Sequence, residues 1–192
     1  VARLNQVVLI CAVIAGSWLA MQAFHEAGHV LGAWITGGQV QRVILHPLTF
    51  SRTDVHPNVH PLLVTWMGPV MGVLLPAGVW GITAAVKVSW AFVLRFCAGF
   101  CLLANGLYLT AGSFQRIGDC DVLLNHGTPM WQLWLFGMLT VPLGLFLWHG
   151  QGAHFGLGKN AHPVRPAIAC TCLAACMLMV ILGLTITKLG EA

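Results

Sequence analysis

Two histidines one helical turn apart lie in the segment Phe24-His25-Glu26-Ala27-Gly28-His29. Residues four apart on a helix share a face, so His25 and His29 can offer two imidazole nitrogens to one zinc ion. Glu26 follows the first histidine and is placed to act as general base on a water at that ion. A bare His-Glu-x-x-His pattern arises readily by chance, but its setting strengthens this one. The chain has two glutamates, Glu26 and Glu191, and Glu191 lies in the tail. Glu26 sits at the end of an apolar run of membrane length, where an ionisable group is costly and calls for a functional reason.

Other residues able to do chemistry are sparse. Asp119 and Asp121 fall together in the polar stretch Ser113–Pro129. Asn105 is a polar group deep in an apolar run; it either donates to a substrate carbonyl or a water, or bonds across helices. His46, His56 and His60 lie in a turn-rich segment and read as surface or interfacial residues. The seven cysteines form no Cys-x-x-Cys unit, and an odd number argues against a complete disulfide framework. Cys97/Cys101 and Cys172/Cys176 each share a helix face and read as small buried hydrophobes.

The elements that must position these residues are set by composition. Of 192 residues, 58% are hydrophobic and 7% charged, against about 25% charged in soluble domains; the mean hydropathy is +0.83. This is the composition of an integral, multi-pass membrane protein built as a single helical domain over residues 1–192. Nine Lys/Arg against five Asp/Glu give a net charge of +4 spread thinly along the chain, and no basic cluster points to nucleic acid. Eight tryptophans suit interfacial anchoring in lipid. Arg3 and the apolar run after it resemble a signal peptide, but the run is too long for one and reads as a retained membrane helix.

Apolar lengths predict five transmembrane helices, at about 7–35, 62–86, 88–112, 130–148 and 167–187. The first would be roughly 40 Å long against a hydrocarbon core of ~30 Å, so it tilts or protrudes and carries His25 and His29 near one surface. Gly37-Gly38 ends it. Residues 39–45 read as a short strand, with Leu48-Thr49-Phe50 as its return, giving a small surface β-hairpin that could hold an extended peptide by strand addition. In the second span, Gly68-Pro69 and Gly72 allow close helix packing, and Pro69 frees a carbonyl for a polar contact. Arg95, in the third, can snorkel to the near surface. Segments 113–129 and 149–166 read as loops.

With five spans, the first and third exit on the same side, so the histidines and Asp119/Asp121 can meet without crossing the bilayer. Arg3, Lys87, Lys159 and Arg165 fall on one side and Arg42, Arg52, Arg116 and Lys188 on the other, so charge bias orients nothing.

On these residues the sequence resembles the membrane-embedded zinc metalloproteases of the site-2 protease type, peptidase family M50, in their compact form. His25, Glu26 and His29 match the family's His-Glu-x-x-His helix, and Gly68-Pro69 loosely matches its Gly-Pro helix. Asn105 and Gly118-Asp119-Cys120-Asp121 take the place of its Asn…Pro…Asp-Gly pattern, although the usual Asp-Gly is absent. The resemblance runs over roughly residues 18–126. It implies one zinc held by His25, His29 and an aspartate, with Asp119 the first choice and Asp121 the second. It also implies Glu26 and Asn105 as catalytic groups and a transmembrane protein as substrate. No PDZ-like insertion is present, so a substrate filter of that kind is missing or comes from an adaptor or regulatory partner.

Three functions fit the residues. An intramembrane endopeptidase uses the two histidines, a carboxylate and Glu26 together. A metal transporter or sensor would carry polar residues through several spans, where here Asn105 and Arg95 stand out. An assembly factor with a protease-like fold would have no need of an intact His-Glu-x-x-His.

Overall fold

The computed structural model describes residues 2–191. The expected five spans are five helices long and apolar enough to cross a membrane: α1 (Ala2–Thr36), α2 (Pro61–Ala85), α3 (Ala91–Gln115), α5 (Met130–Trp148) and α6 (Pro166–Leu189). Between them lie a hairpin of β1 (Val40–Ile44) and β2 (Arg52–Val55), a short helix α4 (Asp119–Asn125) and a 3-10 turn at Gln151–Phe155. The protein is an all-α polytopic membrane fold with one two-stranded sheet after the first helix.

Small residues let the helices approach where the site needs it. A Cβ at Gly28 would strike the Met67 carbonyl, and one at Gly32 would come within 2.9 Å of Val64 Cα. The α1 and α2 backbones are therefore nearly in contact at the level of the histidines. On α2 the two glycines make room for side chains. A Cβ at Gly68 would collide with the His29 imidazole, and one at Gly72 would lie 2.8 Å from Asn105 Nδ2. Opposite, α3 packs on α5 through a similar exchange, with the Trp148 indole lying against Gly99 and donating to Phe96 O at 3.0 Å.

The hairpin differs from the sequence expectation. The return strand is Arg52–Val55, paired antiparallel with β1 in the register Val43↔Thr53 and Ile44↔Arg52, and Leu48–Phe50 lies in the connection. The reason lies in α1. Trp18 Nε1 donates to Pro47 O at 3.2 Å and Gln22 Nε2 to Thr49 O at 2.9 Å, so these carbonyls bond to helix side chains instead of a ladder. Leu48 and Phe50 are 88% and 84% exposed beside the middle of α1. The hairpin is held from the other side by α6, where Thr187 Oγ1 accepts the Leu45 N–H at 2.9 Å and Gly183 lies under the Leu45 carbonyl.

The polar segment 113–129, expected as a loop, holds α4. Its Gly and Pro residues are the punctuation of a loop, but Cys120 and Leu123 are fully buried against Leu109 and Leu133, which gives one short helix an apolar face to dock. Arg95 reaches the end of α5, donating to His149 O at 3.1 Å, and so caps carbonyls that the helix leaves unpaired. All seven cysteines are free.

Candidate metal centre

The centre forms where α1, α2, α3 and α4 meet. His25 and His29 are buried on α1, about 10–16 Å of helix back from Thr36. Their rings lie edge to face with centroids 4.8 Å apart. His25, Glu26 and His29 each turn a metal-ligating atom inward, all within 4.8 Å of one another, and this cluster can hold a metal ion. Asp119, the first residue of α4, brings Oδ2 to 2.9 Å from His25 Nε2 and 3.4 Å from His29 Nε2.

The outer nitrogen of each ring is fixed by a different helix. His29 Nδ1 lies 2.9 Å from the Val64 carbonyl, which can only accept, so Nδ1 carries the proton. The carbonyl freed by Pro69 is that of Thr65; the one His29 uses is its neighbour's. His25 Nδ1 lies 2.7 Å from Asn105 Oδ1. Asn105 Nδ2 donates to Cys101 O at 2.9 Å, which turns its oxygen to the ring and makes His25 Nδ1 a donor too. With Nδ1 protonated in both rings, each imidazole in its neutral form presents an Nε2 lone pair to the Asp119 carboxylate. Acceptors at 2.9 and 3.4 Å repel unless positive charge lies between them, as a second ring proton or as a cation. Burial by itself raises the Asp119 carboxyl; with protons on the facing ring nitrogens, the His25 and His29 hydrogen bonds and charges outweigh it and hold the group well below the usual carboxylate range.

Asp119 is held at its backbone. Its N–H donates to the Tyr108 hydroxyl oxygen at 2.9 Å. Gly118 lies at φ 55°, ψ −124°, a conformation open essentially to glycine, and a Cβ there would collide with the same hydroxyl. Asp121 points away, with Oδ1 3.3 Å from Arg116 Nε on the exposed side of α4. Asn105 is 1% exposed and occupied on both ends of its amide, bonding across to α1 and back to its own helix. His56 and His60 are exposed, and His46 Nδ1 accepts the Leu48 N–H; none of the three meets the centre.

Glu26 faces the hairpin. Its Oε2 accepts the Thr53 hydroxyl proton at 2.6 Å. A cavity of about 960 Å³ opens onto the centre, walled by α1, α3, α4 and β2 and lined by Glu26, His25, Thr53, Tyr108 and Asp119 among others. Sequence reasoning passed over Tyr108 and Thr53. Tyr108 is the chain's one tyrosine, a turn beyond Asn105, and that was a usable signal. Nothing in the sequence around Thr53 gives its contact away.

Compared with protein-family models, with curated proteins and with solved structures, the chain gives no match.

Proposed function

We propose that this protein is a zinc-dependent endopeptidase of the site-2 protease type, hydrolysing peptide bonds in or near transmembrane segments of protein substrates. The observation that carries the reading is the convergence of two imidazole nitrogens and one carboxylate oxygen on a common point, with a second carboxylate, Glu26, alongside. A tetrahedral zinc with bonds near 2.0 Å separates its ligand atoms by about 3.3 Å, and the observed 2.9 and 3.4 Å bracket that spacing. Two neutral imidazoles and a carboxylate are a common ligand set of hydrolytic zinc sites, which keep one position open. Bound there, zinc would supply a Lewis acid for the scissile carbonyl and lower the pKa of water.

The chain's own residues divide the remaining work. His25, His29 and Asp119 would hold the ion. Asn105 and the Val64 carbonyl keep Nδ1 protonated and Nε2 free. Glu26 takes the proton of the attacking water as the C–O bond forms and returns it to the leaving amine as the C–N bond breaks. The cavity gives an extended stretch of peptide access to these groups, and its position toward one end of α1 gives water access from that side. The strand β2 along its wall offers an extended peptide an edge to pair with.

The test uses purified protein in detergent or lipid, loaded with zinc, and a panel of transmembrane peptides read by mass spectrometry. Wild type cleaves at least one, and Glu26→Gln retains zinc while cleaving ~10²–10⁴-fold more slowly. A zinc-loaded Glu26→Gln protein cleaving at the wild-type rate overturns the mechanism. Equal zinc content in wild type and in a His25→Ala/His29→Ala double variant overturns the site.

A further inference from the structure

Resting on the hydrolase reading above, we infer that Thr53 is a positioning residue for Glu26, so that the hairpin sets the aim of the general base. Glu26 projects from α1 on a long side chain with several rotatable bonds, and nothing on α1 itself fixes its carboxylate. Among the described residues, its side-chain hydrogen-bond partner is Thr53, at 2.6 Å. A hydroxyl donating to a carboxylate at this distance is a charge-assisted bond of the stronger kind. It occupies Oε2 and leaves the other oxygen for the water.

The geometry of the hairpin makes Thr53 suited to this. Side chains alternate across a strand. Arg52 and Asp54 flank Thr53 and pair with each other at 3.0 Å, and Asp54 also meets Arg42 at 3.2 Å. These charges are satisfied on one face of the hairpin, and Thr53 turns to the other, toward Glu26. The strand is not free to drift. Gln22 and Trp18 hold the connection from α1, and Thr187 holds Leu45 from α6. The aim of Glu26 is thus referred through Thr53 and the β1–β2 ladder to two membrane helices. A carboxylate misplaced by about 1 Å can cost on the order of 10²-fold in rate, so a fixed strand is a better reference than a flexible side chain.

The experiment compares wild type, Thr53→Val, Thr53→Ser and Glu26→Gln, all zinc-loaded. Zinc content and affinity for a short peptidyl hydroxamate are measured for each. A hydroxamate chelates zinc and hydrogen-bonds to a carboxylate placed beside it, so its affinity reports the aim of Glu26 without a known substrate. Valine keeps the shape of threonine and removes the donor; serine keeps the donor. The expected result is full zinc content throughout, hydroxamate affinity lowered about tenfold in Thr53→Val, and affinity restored in Thr53→Ser. With any peptide that wild type cleaves, Thr53→Val lowers kcat and leaves KM nearly unchanged. Wild-type hydroxamate affinity in Thr53→Val overturns the inference, as does loss of zinc from that variant, which would make Thr53 a structural support of the whole centre. Glu26→Gln separates the two levels: if it binds hydroxamate as wild type does, the role of Glu26 itself fails. A wild type that takes up neither zinc nor hydroxamate overturns the hydrolase reading and this inference with it.

Discussion

Replacing Asn105 by alanine removes the acceptor of the His25 Nδ1–H, a hydrogen bond of 2.7 Å between two buried side chains. The ring keeps its place on α1 but loses the group that selects its tautomer and orientation. Two routes give the size of the effect. A buried donor left without a partner costs about 1–3 kcal/mol. Loss of an outer-shell partner of a metal-bound histidine typically lowers metal affinity by about 10–100-fold, or roughly 1.4–2.7 kcal/mol. The two ranges overlap, so zinc affinity should fall by about one to two decades. Gly72 lies against the Asn105 amide, so truncation opens a space in which a water can stand in for the lost oxygen, favouring the lower end. Asn105→Asp keeps an acceptor oxygen toward the ring and should recover most of the affinity. The assay is competition for zinc with a chelator of known affinity, with helicity checked by circular dichroism. Wild-type zinc affinity in Asn105→Ala would refute the reasoning. If that variant also cleaved peptide slowly, Asn105 would belong with the substrate-binding groups and not with the support of His25.

The two aspartates should separate cleanly. Asp119→Ala removes the carboxylate that faces both histidines and should shed zinc on mild chelation, while Asp121→Ala, losing an exposed contact to Arg116, should keep zinc as wild type does; the reverse pattern would transfer the role to Asp121. For topology, single cysteines at Asn58 and His126, in a background without the native cysteines, should be labelled by an impermeant thiol reagent from the same side of the membrane. Labelling from opposite sides would contradict an arrangement in which Asp119 reaches His25 and His29.

Residues that carry their own local signal were the legible ones. Apolar length gave five spans within a few residues of their ends, because in lipid a backbone must satisfy its hydrogen bonds internally and the helix is the local way to do so. His25, Glu26 and His29 were legible because their spacing is a property of one helix. Asn105 stood out as a polar group in an apolar run, but its function did not: the choice between substrate donor and helix-to-helix bond depends on where Cys101 O and His25 lie around it. The return strand was misplaced because its register depends on Trp18 and Gln22, some 27–29 residues away. The helix α4 was missed because its docking face is two residues, Cys120 and Leu123, and the apolar partners that make it a face come from α3 and α5.

The same division between local and distant determinants governs how the centre assembles. Each inward-facing group is directed by a residue of another element: His25 by Asn105 on α3, His29 by the Val64 carbonyl on α2, and Glu26 by Thr53 on β2. Asp119 is placed on α4 by Tyr108 on α3. The helix α1 alone supplies two imidazoles with both tautomers available and a carboxylate free to rotate, which is a weak and unselective ligand set. Docking α2 and α3 converts the imidazoles to the Nε2-exposed form, docking α4 adds the third acceptor, and seating the hairpin aims Glu26. Insertion of helices into a bilayer precedes their association, so on the proposed reading high metal affinity would belong to the packed bundle and not to the inserted segments. The glycines at 28 and 68 then have a role beyond packing, since a methyl group at Gly28 would press on the Met67 carbonyl and push α1 from α2, and one at Gly68 would displace the His29 ring, each against the hydrogen bond that His29 Nδ1 donates to the Val64 carbonyl.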